Sequence, residues 1–435
     1  MKNTDILNLL HREVVPAIGC TEPIAVALCV ARAREELGCE PDSITVYLSK
    51  NVYKNALAVG IPNTGMTGLP IAIALGATVG KSCYQLEVLR DADEKAVAYA
   101  KDYMQRVPAT IEVDYNAPDV LYIRALVAKD GRTAEATIQH EHTCFVTRDN
   151  GIKESRDTEK RDTVIPESRD TELSLREVYD YAMSVSLDDV RFLLDGAKMN
   201  KQAAEKSFQG NYGHGLGRLL HEGASSTLFG DTAFTHILAY TCGACDARMS
   251  GAMVPVMSNS GSGNQGVSCS LPVYIYALEH EADEEHTLRA LTLANLTAIY
   301  IKQSLGRLSA LCGCVVASTG SACGITYLMG GGYEELTYAI KNMIANISGM
   351  ICDGAKPGCA LKVTSGVATA VLSATLAIEH AHADCTEGIV EEDIDRTIHN
   401  LTRIGREGMS YTDDLILDIM THKKIDNSYP YGTII

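Results

Sequence analysis

The chain has 435 residues, 46% of them apolar and 21% charged, which suits an ordinary globular protein of two or three domains. A formal net charge of −17 argues against a phosphate-backbone partner or an anionic membrane surface, so neither a nucleic-acid nor a membrane partner is expected. Fourteen cysteines without a cationic, apolar leader point to a reducing cytoplasm, and to metal-binding or catalytic thiols rather than disulfides.

Residues 6–15 read as an amphipathic helix closed by Pro16. Gly19-Cys20-Thr21-Glu22-Pro23 opens a second helix, with Thr21 or Glu22 at the cap, Pro23 in the first turn and Gly38 as the stop. Cys20 therefore stands just before a helix N-terminus, where the macrodipole is expected to lower a thiol pKa. Residues 43–49 alternate as a strand. Gly60-Ile61-Pro62-Asn63-Thr64-Gly65 is a loop able to offer N–H groups and hydroxyls to a small anion, and it leads into an apolar helix over 69–79. A surface helix over 92–105 follows, then strands over 110–114, 121–128 and 133–140. His140 and His142 are expected on an exposed strand face, since no third metal ligand accompanies them.

The repeated Ser-Arg-Asp-Thr-Glu at 155–159 and 168–172 marks a charged, apolar-poor linker. The expected organisation is α+β: an α/β module over 1–147, a linker over 148–173, and a mostly helical catalytic domain over 174–435. In the last part the rhythm predicts helices over 175–182, 187–206, 216–220, 231–248, 271–278, 287–305, 333–347, 364–380 and 391–406. Cys242 and Cys245 form a CxxC inside a helical run, where a packing role is favoured. Residues 258–266 contain a literal G-x-G-x-x-G without a βαβ context, which excludes a dinucleotide site and leaves an anion site at a helix start, sized for a carboxylate.

The richest chemistry lies in Leu311-Cys312-Gly313-Cys314 and in the run from Cys352 to Cys359. Cys352 and Cys359 are seven positions apart in a Gly/Pro loop, and Cys312 or Cys314 arrives from about forty positions upstream. Thiolates hold soft metals and iron–sulfur clusters, and three of them fit a [4Fe–4S] cluster that keeps one iron free for substrate. Spacing alone leaves open that these are buried structural thiols.

Several motifs together resemble the iron–sulfur L-serine dehydratases and, more closely, the L-cysteine desulfidases. Ala17-Ile18-Gly19-Cys20-Thr21-Glu22-Pro23 is similar to the desulfidase opening, and residues 60–65 to its substrate loop. Residues 257–266 stand where the dehydratases carry a Pro-Thr-Asn-Gly loop, and Cys312-Gly313-Cys314, residues 350–356 and Pro357-Gly358-Cys359 are similar to the three cluster-binding segments. Residues 404–409 resemble the closing Gly-Arg segment. The resemblance implies a carbon–sulfur lyase with a [4Fe–4S] cluster on Cys312, Cys352 and Cys359, Cys314 remaining a rival for the first ligand. It implies α,β-elimination of L-cysteine to pyruvate, ammonia and hydrogen sulfide, with Cys20 taking the Cα proton. Asn63, Thr64, Ser260, Gly261, Asn264 and Gln265 are expected to hold the amino-acid substrate. The alternatives are an L-serine dehydratase of the same fold and a non-catalytic amino-acid or redox sensor. Homo-oligomerisation stays open.

Overall fold

A computed structural model describes residues 2–146, 173–223, 228–306 and 308–422. Nearly all of the charged linker lies outside these residues. The first part runs α1 (Asn3–Glu13), β1 (Pro16–Ile18), α2 (Thr21–Leu37), β2 (Ser43–Leu48), α3 (Lys50–Ala56), α4 (Leu69–Thr78), α5 (Glu94–Arg106), β3 (Thr110–Val113), β4 (Tyr122–Lys129) and β5 (Arg132–Gln139). After the linker come α6 (Leu175–Ser184), α7 (Leu187–Phe208), α8 (Leu216–His221), α9 (Ala233–Met249), β6 (Pro255–Met257), α10 (Gly263–Glu279) and α11 (Glu284–Leu305). The last helices are α12 (Gly313–Leu328), α13 (Tyr333–Ile347), α14 (Cys359–Ile378), α15 (Ile394–Arg403) and α16 (Ser410–His422). The fold is α+β, with an N-terminal α/β part and a mostly helical remainder.

The sheet has the order β3-β2-β4-β5, with β2 parallel to β3 and antiparallel to β4. The inward residues Ile44, Val46 and Leu48 alternate as the pattern requires and pack under α2, whose run from Ile24 to Ala31 is wholly buried. A second, larger core fills the helical body. It also takes in Ile6, Leu9 and Leu10 of α1 and Val14 just after it, although α1 precedes the sheet in sequence.

Strands β1 and β6, absent from the sequence reading, join the two parts. β1 pairs antiparallel with β6, Ala17 opposite Val256, and Ser258 N–H extends the ladder to the Val15 carbonyl at 2.8 Å. Pro16 therefore ends α1 by entering a strand, and Pro255 begins one, a position proline tolerates. The short α3 and the final α16 were absent from the sequence reading too, as was α12. Its Gly-, Ser-, Thr- and Cys-rich sequence has poor intrinsic propensity, yet it is buried along most of its length against α10, α11 and α14. Small residues are what permit that: a Cβ on Gly324 would fall 2.8 Å from the Ala290 carbonyl oxygen of α11. Packing overrides propensity here.

His142 differs from expectation. β5 stops at Gln139, and His140 turns the chain with φ of 69°. The strand alternation is broken there, and His142 is buried instead of facing solvent. α14 is 20 residues long and apolar enough by length and composition to cross a membrane, longer than the run read from sequence; it packs against α9, α12 and α13.

Candidate functional site

A cavity of about 100 Å³ lies where the two parts of the chain meet. Cys20, Ser262, Cys312 and Cys359 all line it, and each sits at the first position of a helix or immediately before it, on α2, α10, α12 and α14 respectively. Four helix starts therefore border one small volume, and their positive dipole ends favour anionic ligands and thiolates there.

Two further contacts fix the α/β part against the helical part, and a third joins the loops that carry the thiols. Gly60 N–H donates to the Met249 carbonyl at 2.9 Å. Lys54, buried on α3, donates to the Cys352 carbonyl at 3.4 Å and forms an ion pair with Asp413 of α16. Leu311 and Ile351 form an isolated antiparallel bridge, flanked by Cys312 N–H to Met350 O at 2.9 Å and Cys352 N–H to Ala310 O at 2.7 Å. That bridge holds the two cysteine loops side by side.

Cys312, Cys352 and Cys359 consequently line one cavity with Cys20, which precedes Cys312 by 292 positions. Cys312 and Cys352 share a hydrogen bond. Cys314, also in the lining, has its sulfur 3.5 Å from Cys312 Sγ and 3.1 Å from Met350 Sδ. The Cys312 thiol is raised by its hydrogen bond with Cys314, and that of Cys352 by its bond to Cys312 and by burial; burial also raises Cys359. As protein groups alone, these thiols retain their protons, which metal binding would displace.

Among the described residues no three His, Cys, Asp or Glu side chains stand close enough to share a single metal ion. A cubane cluster asks for something else. Each thiolate binds a different iron, so the sulfurs must surround a volume instead of meeting at a point. Three thiols on two adjoining Gly-containing loops border one cavity as that demand requires, with Cys312 and Cys352 having to part from their present hydrogen bond to reach separate irons. Cys245, buried on α9, stands near enough to Cys359 for their charges to interact.

Cys20 departs from the expectation of an easily ionised thiol. It is 2% exposed, and its pKa is raised well above the ordinary value, first by burial and then by the charge of Glu22; Arg248 pulls the other way. The thiol donates to Glu22 Oε2 at 3.1 Å. Helix-start position was the basis of the expectation, and desolvation outweighs it here. Burial opposes ionisation of Glu22, yet the charge of His142 and hydrogen bonds from Cys20, Thr21 and the Glu22 backbone N–H hold its pKa low.

The expected substrate residues divide. Asn264 and Gln265 line the cavity from the first turn of α10, which begins at Gly263 in the middle of the supposed loop. Ser260 and Gly261 support it from behind: Gly261 O accepts from the Thr21 hydroxyl at 3.0 Å, and Ser260 Oγ donates to Asn259. Asn63 and Thr64 are not in the lining. Asn63 Nδ2 donates to Ala92 O, and the Thr64 hydroxyl closes its own turn on Ile61 O at 2.8 Å. Sequence reasoning missed Arg248, Asn55 and the inward role of Glu22, all buried in the lining. An acid followed by eight buried apolar residues was a usable signal for Glu22, because nothing beside it could face water. Arg248, at the end of a buried run after a CxxC, was a weaker one.

A thiol-lined cavity ringed by helix starts, in an α+β chain, defines the class: the serine dehydratase alpha chain family matches residues 83–418, and the chain belongs to it. Cys20, Glu22 and Asn55 precede the matched segment. Relatives cover nearly the whole chain. A UPF0597 protein of Phocaeicola vulgatus is 58% identical over 424 residues, 97% of this chain and 98% of its own length. A UPF0597 protein of Bacteroides thetaiotaomicron is 56% identical over 418 residues (96% and 97%), and one of Shewanella halifaxensis is 43% identical over 429 residues (96% and 98%).

Proposed function

We propose that the protein is an iron–sulfur lyase that eliminates the β substituent of a small L-amino acid, with L-cysteine as substrate and hydrosulfide as leaving group. The supporting observation is the meeting, in one small cavity, of Cys312, Cys352 and Cys359 with a fourth thiol from the far end of the chain. Cys312, Cys352 and Cys359 hold the [4Fe–4S] cluster in this reading, which when bound supplies a Lewis-acidic iron to the leaving sulfur. Cys20, ionised in the loaded site, takes the Cα proton. The Cα–H electron pair becomes the Cα=Cβ bond and the Cβ–S bond breaks, releasing hydrosulfide and aminoacrylate, which hydrolyses to pyruvate and ammonium. Val363, Ala355 and Gly354 add apolar lining to the cavity.

The name of the matched family favours a second reading, elimination of water from L-serine. Both are tested by anaerobic purification, quantitation of iron and sulfide, and comparison of kcat/KM for L-cysteine and L-serine. Faster sulfide release from L-cysteine supports the first reading and faster turnover of L-serine the second. Iron-loaded protein that forms pyruvate from neither overturns both.

A further inference from the structure

Four buried polar side chains in the cavity wall belong to neither the thiol set nor the packing. Arg248 is 2% exposed, Gln265 3%, Asn55 8% and Glu22 8%. Three carry an atom without a hydrogen-bond partner: Arg248 Nε, Asn55 Oδ1 and Gln265 Oε1. A buried polar group left unpaired has given up its hydrogen bond to water without replacement. All three residues line the same cavity of about 100 Å³, which is where a ligand would meet them.

Their chemistry is sorted by sign. Arg248 is a cationic donor, and its guanidinium is aimed by Nη1, which donates to Asn264 Oδ1 at 3.0 Å. It lies so close to Gly263 that a Cβ there would come 2.7 Å from Cζ. That position is also the first turn of α10, so guanidinium and helix dipole act on the same spot. Asn55 Nδ2 donates to Glu22 Oε1 at 3.1 Å, because a carboxylate can only accept; Asn55 Oδ1 must then face away as an acceptor. Glu22, Asn55 Oδ1 and Gln265 Oε1 thus form an acceptor set with one negative charge. A group presenting a carboxylate to one side and an ammonium with three N–H donors to the other matches both.

Building on the elimination reading, we infer that this cavity recognises its ligand as a zwitterion, Arg248 binding the α-carboxylate and Glu22 with Asn55 binding the α-ammonium. The ligand class is a free α-amino acid, which carries a carboxylate and an ammonium on one carbon. The ammonium also has an effect on Cys20. A cation against Glu22 offsets the charge that helps keep the thiol protonated, so occupancy of the site favours the thiolate.

The test uses iron-loaded protein under anaerobic conditions and isothermal titration with ligands that lack a leaving group. L-Alanine carries both poles, L-alaninamide only the ammonium, and propionate only the carboxylate. L-Alanine should bind at least tenfold more tightly than either of the others. Arg248→Gln should weaken L-alanine at least tenfold and leave L-alaninamide within twofold. Asn55→Leu should weaken L-alanine and L-alaninamide together and spare propionate. Iron content and far-UV circular dichroism check folding. Equal affinity of the wild-type protein for L-alanine and L-alaninamide overturns the inference without need of any variant, as does Arg248→Gln protein that retains L-alanine affinity. Wild-type protein that binds L-alanine but turns over neither cysteine nor serine overturns the elimination reading and leaves zwitterion recognition standing.

Discussion

Gly354→Ala tests whether the thiol loop rests on the α/β part. Gly354 has φ of 87°, and a Cβ added there would fall inside the van der Waals envelope of the Lys54 carbonyl oxygen on α3. The left-handed conformation costs an alanine about 1–2 kcal/mol. Overlap with a backbone atom that cannot rotate aside adds about 1–3 kcal/mol. Two controls separate these contributions. Gly388 has φ of 57° with nothing within 4 Å of the added Cβ, so Gly388→Ala should cost only the first. Gly349 has neither constraint, and Gly349→Ala should stay within about 0.5 kcal/mol. The gain from restricting the unfolded chain is common to all three and cancels in the comparison. Denaturant titration of metal-free protein should therefore rank Gly349→Ala, Gly388→Ala and Gly354→Ala in increasing loss, the last by about 2–5 kcal/mol. Iron content after reconstitution should fall for Gly354→Ala alone, because the displaced loop carries Cys352. Equal losses at Gly354 and Gly388 would show that the loop does not lie against α3.

Lys54→Met should cost about 3–5 kcal/mol in denaturant unfolding, because it leaves the buried Asp413 carboxylate without its counter-ion and held, among the described residues, only by Asn51. Adding Asp413→Leu should restore most of the loss. Cys312→Ser, Cys352→Ser and Cys359→Ser should each abolish iron binding in an iron-to-protein assay, and Cys314→Ser should not; the reverse result for Cys312 and Cys314 would reassign the first ligand. Cys20→Ser should keep its iron and lose about 10²–10⁴ in kcat, and near-normal turnover would remove Cys20 as the base. Glu22 has a folded pKa below its unfolded value of ~4.3, so its contribution to stability is present above that pH and lost as pH falls through the lower folded value. Metal-free Glu22→Gln should accordingly show a shallower loss of stability below about pH 4.3 than the wild-type protein, and an unchanged acid limb would refute the assignment.

The legible parts of the chain were those where local chemistry and final environment agree. The alternation of Ile44, Val46 and Leu48, the Pro23 helix start and the Gly38 stop required no partner to be recognised. The cysteines were legible through spacing and resemblance. α12 was not, because its stability comes from Ala290 and neighbouring groups on α11, and nothing within residues 313–328 announces a helix. β1 and β6 were hidden for the same reason, each being three residues long and meaningless without the other. The error over Cys20 is of a different kind. The helix start was read correctly, but the depth of burial and the carboxylate two residues later were not, and they reverse the direction of the pKa. Asn63 and Thr64 illustrate the limit of loop composition: their polar side chains are used up on the loop's own backbone and on the Ala92 carbonyl.

The β1–β6 ribbon also sets a timetable. Pro16 and its partner Met257 are 241 positions apart. At a synthesis rate of ~5–20 residues per second, β1 waits roughly 12–50 seconds for its partner to be made. Cys359, the last of the four thiols, is made about 5–20 seconds later at the same rate. Throughout that interval α1 holds Ile6, Leu9 and Leu10 without the core they pack into, and Cys20 stands at the start of α2 with none of the later thiols yet opposite it. The cavity is therefore completed late in synthesis, as one event of closure between the two ends of the chain.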